Sequence, residues 1–364
     1  MRRHTILAGM NGERILPPDS SIIRQHFVHQ AASCEALDSP FTARLCRAVA
    51  DSLDETTQTG RRVLHWAGNT REDALALRFC GALHALVLAG NAASLAAVYP
   101  PRSATETELR KVLQEAIGRH DLELLASLDS APQTNEIARS AMLLPGFLTI
   151  AGKTALPLML HEIGSSAGLN LLFDRFHYRY GDAEWGDAAS PVRLAPEVRG
   201  NPVPVHGQLE IVERAGSDIA PVDVATAEDR LRLKSYIWAD QAMRLQRLDA
   251  ALSLAVMQPF KLMKADAAAF VRQSLASRQS GAAYVLFHSI MWQYLPEATK
   301  TSISADLQSA GVAATADAPI AWLRMEPLST TDKHATLSLT LWPGGETRRL
   351  ARCDYHGRWI EWLG

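Results

Sequence analysis

The sequence predicts an α/β protein in which a largely parallel sheet with helices on both faces follows an all-helical N-terminal region. Two observations predict this fold. Apolar residues recur at helical spacing almost throughout residues 18–145, whereas short apolar runs alternate with helical segments from residue 157 onward. Several of those runs end in an acidic or histidine side chain, which is typical of strands that bind ligands at the carboxyl edge of a sheet. We expect a helical domain over residues 1–150 and the sheet domain over residues 151–364.

Composition indicates an ordinary globular protein. The 364 residues are 47% hydrophobic and carry a formal net charge of -2, so no attraction to nucleic acid or to a membrane surface is indicated. No apolar run approaches the roughly eighteen residues of a membrane span, and the N-terminus lacks the apolar core of a secretory signal. The four cysteines lie far apart without a CxxC pair, which favours the cytoplasm and predicts no metal site.

The helical region has clear start and stop signals. The Ala- and Leu-rich segment 73–98 predicts a mostly buried helix, and Thr105 followed by Glu108 predicts a capping box at the start of the next one. Close to the first strand, Asn135 and Arg139 lie at another helix start. Capping explains a polar residue such as Asn135 there, but both residues are also candidates for contacts with a substrate.

A strand, a small-residue turn and a helix start follow one another in residues 157–175, and this segment is the most informative in the chain. Glycines let a ligand approach the backbone of such a turn, and the N–H groups of the first helical turn lack partners. The spacing of Glu162, Gly164 and Gly168 resembles the first motif of class I S-adenosylmethionine-dependent methyltransferases, although Ser166 stands where that motif usually has its middle glycine. Residues 164–168 also spell G-x-S-x-G, the nucleophile elbow of α/β-hydrolases, with Ser166 as the nucleophile.

Polar side chains end the later strands as well. Asp218 follows the second strand, where an acid commonly accepts hydrogen bonds from ribose hydroxyls. Asp266 follows the third strand, where it is placed either for the adenine region or as an N-cap, and His288 follows the fourth, where it is a candidate general base or a structural residue. The order of these strand ends favours one dinucleotide-like cofactor lying along the carboxyl edge, because a hydrolase elbow normally follows several strands.

Residues 177–207 lose helical periodicity and become rich in Tyr, Trp, Gly and Pro. Their aromatic and charged residues are unlike those of a flexible linker, so we expect an ordered insertion, either a lid over the ligand or a hairpin stabilised by its own aromatics. Tyr178, Glu197 and Arg199 are its candidate substrate contacts.

The chain also resembles the uncharacterised bacterial DUF2332 family over most of its length. The resemblance lies in PQTNEIARSAMLL (residues 132–144), EIGSSAGLNLLFDRFHYRYG (162–181), SPVRLAPEVRGNPVP (190–204), ERAGSDIAPVDV (213–224) and the HS of FHSIMWQYL. It implies a Rossmann-like class I methyltransferase sheet behind a helical N-terminal region, and it implies no established reaction or substrate.

The leading hypothesis is therefore an S-adenosylmethionine-dependent methyltransferase that acts on a small molecule. Two alternatives stay open: a non-catalytic S-adenosylmethionine-binding or regulatory protein, and a serine hydrolase using Ser166 with Asp266 and either His288 or His334. The predicted cofactor contacts are Glu162, Gly164, Ser165, Ser166, Gly168, Asn170, Asp218, Ile219, Asp266, Ala267, His288 and Ser289. The predicted substrate contacts are Asn135, Arg139, Tyr178, Glu197 and Arg199, with His288 as the catalytic candidate.

Overall fold

The structure is a computed structural model, and it describes residues 20–133, 135–258 and 260–364. The chain forms two compact units. The first holds the described residues up to Pro132 together with Trp238–Asp240, and the second holds the described residues of Gln133–Ile237 and Gln241–Gly364. The boundary predicted at residue 150 falls inside a helix whose buried residues belong to the core of the second unit.

The regular elements among the described residues of the first unit are helices, joined by turns and irregular segments. Apolar stripes on these helices bury Phe27, Leu45 and Leu83 in one core. The predicted capping box is present, because Thr105 Oγ1 accepts from Glu108 N (3.2 Å) while the Glu108 carboxylate accepts from Thr105 N (2.8 Å). The helices are α1 (Ser20–Ala36), α2 (Pro40–Ser52), α3 (Gln58–Leu64), α4 (Leu75–Leu88), α5 (Ala93–Ala96), α6 (Glu106–Arg119) and α7 (Asp121–Ser127).

A segment distant in sequence completes the first unit. The Asp240 carboxylate accepts hydrogen bonds from Phe41 N (2.7 Å) and from the Ser39 hydroxyl, at the N-terminal end of α2. An acid there satisfies a helical N–H group that lacks an intrahelical partner. This contact explains why residues 238–240 group with the helices.

The second unit is a mixed α/β structure. Its α helices within the described residues are α8 (Ser140–Thr154), α9 (Ala227–Ser235), α10 (Ala242–Met257), α11 (Ala267–Ala276) and α12 (Glu297–Val312), and short 3-10 helices span Ile137–Arg139, Leu169–Arg175 and Trp292–Tyr294. Its strands are β1 (Leu158–Ile163), β2 (His177–Tyr180), β3 (Ala183–Gly186), β4 (Arg193–Leu194), β5 (Glu197–Gly200), β6 (Ile211–Asp218), β7 (Lys261–Lys264), β8 (Ala283–Ser289), β9 (Ile320–Glu326), β10 (Ala335–Trp342), β11 (Glu346–Cys353) and β12 (Trp359–Trp362).

The described residues build a large, mostly parallel sheet in the order β5-β12-β11-β10-β9-β8-β1-β6-β7. The neighbours from β9 to β7 all pair in parallel, and β10, β11 and β12 add an antiparallel end. β1 and β8 are buried at every position, as expected of apolar runs in a sheet covered on both faces. Since β6 and β8 flank β1 on opposite sides, the end of β1 is a point where the strand order reverses.

Residues 177–207 contain the short strands β2, β3, β4 and β5. β2 pairs with β3 as a hairpin and with β4 in parallel, which forms a small second sheet, while β5 joins the edge of the large sheet beside β12. None of the helices in the described part of the chain combines the length and the apolar composition that a membrane crossing requires.

Candidate functional site

The turn after β1 uses three residues in the left-handed region. Gly164, Ser166 and Gly168 have φ values of 63°, 52° and 70°, and Gly168 N closes the turn on Ser165 O (2.7 Å). Glycine is required at position 168, because a Cβ there would lie 2.4 Å from the Phe260 ring.

Hydrogen bonds hold this turn against the end of β6. Ser165 donates to Ser217 O from both its N–H and its hydroxyl, at 3.0 Å each. Ser166 N donates to Asp218 Oδ2 (2.8 Å), while Asp218 Oδ1 accepts from Ala220 N (2.9 Å). The structure therefore brings Asp218 to the glycine turn, and each of its oxygens retains a second lone pair for a ligand.

Glu162 lies beneath the turn with 3% of its surface exposed. Burial raises the pKa of this carboxyl well above its ordinary value, and the charge of Asp218 raises it further, whereas Arg139 and Asn170 act in the opposite direction. Its Oε2 atom and the nearby Ser166 Oγ are buried without a hydrogen-bond partner among the described residues. Buried polar atoms of this kind are rare in folded proteins, and both belong to residues at the carboxyl end of β1.

The start of α8 reaches the same turn. Asn135 Oδ1 accepts from Leu169 N (3.0 Å), and Ser140 Oγ donates to Asn170 Oδ1 (2.7 Å). Arg139 donates to Ser289 O (3.3 Å) and Tyr355 O (3.0 Å), so its guanidinium lies at the end of β8. Asn135 and Arg139 therefore lie beside the predicted cofactor residues.

His288 is fully buried, and both of its ring nitrogens are engaged. The Trp322 indole can only donate, so its 3.2 Å contact makes His288 Nε2 an acceptor and puts the ring proton on Nδ1, which donates to Glu326 Oε1 (2.7 Å). The His288 ring stacks on Trp292 at 5.0 Å between centroids. The predicted general base would have to break one of these bonds to take a proton, and the geometry is that of an anchor.

Glu326 also fixes the loop after β8. Its Oε1 atom accepts from Met291 N (3.0 Å) and Trp292 N (3.2 Å), next to Ile290, whose φ of 52° is unusual for a β-branched residue. The Met291 side chain covers Gly164, where a Cβ would lie 2.8 Å from its Cγ atom. A strained loop therefore borders the glycine turn, and strain of this kind clusters at functional sites.

A family model described as an uncharacterized protein conserved in bacteria (DUF2332) matches residues 24–362. The chain belongs to this family. The match confirms the resemblance of the sequence to the DUF2332 family. No curated protein and no solved structure matches the chain.

Three predicted substrate residues of this DUF2332 chain do not lie at the turn. Tyr178 is fully buried and its hydroxyl donates to Phe173 O (2.6 Å), because it packs in the core under the small sheet. Glu197 and Arg199 form an exposed ion pair (2.9 Å) on β5, six strands from β1 in the sheet order. At about 4.8 Å per strand, that is roughly 29 Å from the turn.

The remaining predicted residues lie on the side of β6 and β7. Ile219, next to Asp218 at the carboxyl edge, is 76% exposed. Asp266 caps α11, since its Oδ1 accepts from Ala268 N (2.9 Å) and Ala269 N (3.2 Å), and Ala267 is buried in that first turn. The N-cap interpretation of Asp266 is therefore confirmed.

Several residues at this site were missed in the sequence. Glu326 ends β9 as Asp218 ends β6, so the same strand-end rule would have found it. Glu136 was not among the predicted site residues, yet it is buried and pairs with Arg244 (2.6 Å). Arg244 lies more than 100 positions further along the chain in α10, and no local pattern marks that contact.

Proposed function

We propose that this chain is an S-adenosylmethionine-dependent methyltransferase with a Rossmann-like cofactor domain, acting on a small-molecule acceptor. The observation that carries the proposal is the position of the glycine turn and Asp218 at the reversal point of five parallel strands. Open α/β sheets bind ligands outside the carboxyl ends of their strands at such a point.

The residues at the turn fit the cofactor. The unpartnered Glu162 Oε2 and Ser166 Oγ offer polar contacts to its methionine end, together with Asn170 and the backbone of the turn. The free lone pairs of Asp218 suit ribose hydroxyls, and exposed Ile219 offers an apolar face to the adenine. The glycine turn that would hold the methionine end is shaped by Gly164, Ser165 and Gly168. The adenine and the sulfonium would be bordered by Asp266, Ala267 and Ser289.

Bound S-adenosylmethionine supplies an electrophilic methyl group. The protein's own part is then to align an acceptor atom and exclude water, which accounts for much of the acceleration of such transfers. His288 contributes by holding Trp292 in place through the stacked rings and the shared Glu326 carboxylate. Arg139 reaches the same edge and orients the acceptor.

Calorimetric titration with S-adenosylmethionine and S-adenosylhomocysteine tests the proposal. We expect a micromolar dissociation constant, on the order of -8 kcal/mol, for the full chain and for Asp182→Ala, an exposed acid in the β2–β3 turn. Asp218→Ala should weaken binding at least tenfold. Failure of both compounds to bind the wild type would refute the cofactor assignment. Binding without methyl transfer to any acceptor would favour a non-catalytic or regulatory protein.

A second candidate, a serine hydrolase, has one observation in its favour. Ser166 has a positive φ, as the nucleophile of a strand-turn-helix elbow does. Among the described residues, however, its hydroxyl has no hydrogen-bond partner: His288 is held by Glu326 and Trp322, and His334 lies against the Trp359 ring. Labelling of the wild type by a fluorophosphonate, lost in Ser166→Ala, would establish this candidate instead.

A further inference from the structure

Three arginines of the second unit interact with one buried carboxylate beside the candidate site, one by an ion pair and two through its charge. Glu136 is 3% exposed and pairs with Arg244 through Nε at 2.6 Å. Arg139 follows Glu136 by one 3-10 turn, and Arg247 follows Arg244 by one turn of α10. The charge of Glu136 reaches both Arg139 and Arg247, and the charge of Glu326 also reaches Arg139, so three guanidinium groups share two nearby carboxylates. We call Arg139, Arg244 and Arg247 the arginine cluster.

Positive charge exceeds negative charge in this cluster. Two carboxylates face it from other elements. Glu326 acts on Arg139 but gives its Oε1 atom to three other donors, and burial raises the pKa of Glu162, which favours its neutral form. Burial lowers the pKa of Arg139 and Arg247, and the like charge of Arg244 lowers both further. The Arg247 Nε–H group is buried without a partner among the described residues. An added anion would relieve this repulsion.

The cluster also has the right position for a substrate group. Arg139 donates to Ser289 O at the end of β8, and Ser289 leads into the strained loop whose Met291 side chain covers Gly164. Guanidinium groups bind planar or tetrahedral oxyanions through two parallel N–H donors, which gives geometric selectivity as well as attraction.

We propose that the arginine cluster binds an oxyanion of the acceptor, a carboxylate or a phosphate, and so selects anionic small molecules as substrates. This inference rests on the proposed function only in naming the bound molecule as an acceptor; the anion site itself is independent of it.

Calorimetry of the full chain with inorganic phosphate and, separately, with benzoate tests the site at constant ionic strength set by sodium chloride. The variants are Arg247→Gln and, as a control that loses the same charge from exposed α11, Arg272→Gln. We expect saturable binding of at least one probe, unchanged in the control and weakened roughly tenfold in Arg247→Gln. Arg247→Lys, which keeps the charge but loses the fork, should lie between the two and serves if the glutamine variant does not fold.

The proposed anion site is refuted if neither probe binds the wild type. It is also refuted if Arg247→Gln and Arg272→Gln weaken binding equally, because that result would indicate a general charge effect. Binding of phosphate alone or benzoate alone identifies the acceptor group. S-adenosylhomocysteine titrated into the same samples separates the two proposals. Anion binding without cofactor binding would refute the proposed function and support the anion site at the arginine cluster. Cofactor binding without anion binding would refute the anion site and be consistent with the proposed function.

Discussion

Replacing Glu326 by leucine tests the interpretation of the loop after β8. The change removes the acceptor of three donors: His288 Nδ1–H, Met291 N–H and Trp292 N–H. A buried donor without a partner costs about 1–3 kcal/mol. The full cost applies to the fully buried His288. A smaller cost applies to the N–H groups of the half-buried Met291 and Trp292, which can form hydrogen bonds with water. The sum is about 3 kcal/mol.

Thermal unfolding followed by circular dichroism measures this loss. At roughly 2–4 °C per kcal/mol for a domain of this size, Glu326→Leu should lower the melting temperature by about 6–12 °C. Its near-ultraviolet spectrum should also change, because Trp292 loses its anchor. Glu326→Gln keeps an acceptor oxygen in place and should lose no more than about 1 kcal/mol. A leucine variant that melts within 2 °C of the wild type would show that the three donors find other partners, and the anchoring argument would fail.

Three further predictions concern burial and backbone conformation. Because the pKa of Glu162 is raised above its ordinary value of 4.5, the folded state binds the additional proton, and the free energy of unfolding should fall as pH rises from 4.5 through the raised pKa. In Glu162→Gln this contribution to the pH dependence of the free energy of unfolding should be lost. If the melting temperatures of the wild type and of Glu162→Gln differ by the same amount at every pH between 4.5 and about 8, the prediction is wrong. Gly168→Ala should lower the free energy of unfolding by about 2–4 kcal/mol, because its φ is 70° and the new Cβ would lie 2.4 Å from the Phe260 ring. Urea unfolding measures this loss. The control Gly152→Ala, in open space on α8, should be neutral or stabilising. A disulfide reagent should react quickly with no thiol of the native protein and with all four thiols in guanidinium chloride, since every cysteine is buried. The hydrogen bond with Cys46 and burial raise the pKa of Cys34, and burial raises the pKa of Cys353. A thiol that reacts within seconds in the native protein would refute this.

Local features were predictable because their causes are local. The capping box of Thr105 and Glu108 needs only residues three apart, and the apolar run of β1 followed by two glycines indicates a buried strand and a turn. The acid of β6 was found for a similar reason. Parallel strands that alternate with helices bring their carboxyl ends to one edge, so Asp218 could be expected near Gly168 before any contact was known.

Contacts across strands were not predictable, because they depend on register and strand order. His288 is hydrogen-bonded to Glu326 and Trp322, and both of these partners lie on the neighbouring strand β9. Pairing of β5 with β12 took Glu197 and Arg199 to the far end of the sheet. These long-range pairings have no signature within either segment.

Periodic burial and turn conformation are properties of short segments, so the order of residues was enough to predict where the elements form and which side chains end the parallel strands. The surroundings of those side chains depended on the packed fold. Packing buried Tyr178 in the core, grouped α8 with the sheet, and set Glu136 against Arg244, far along the chain. Burial and ion pairing depend on surfaces that exist only once distant segments have packed.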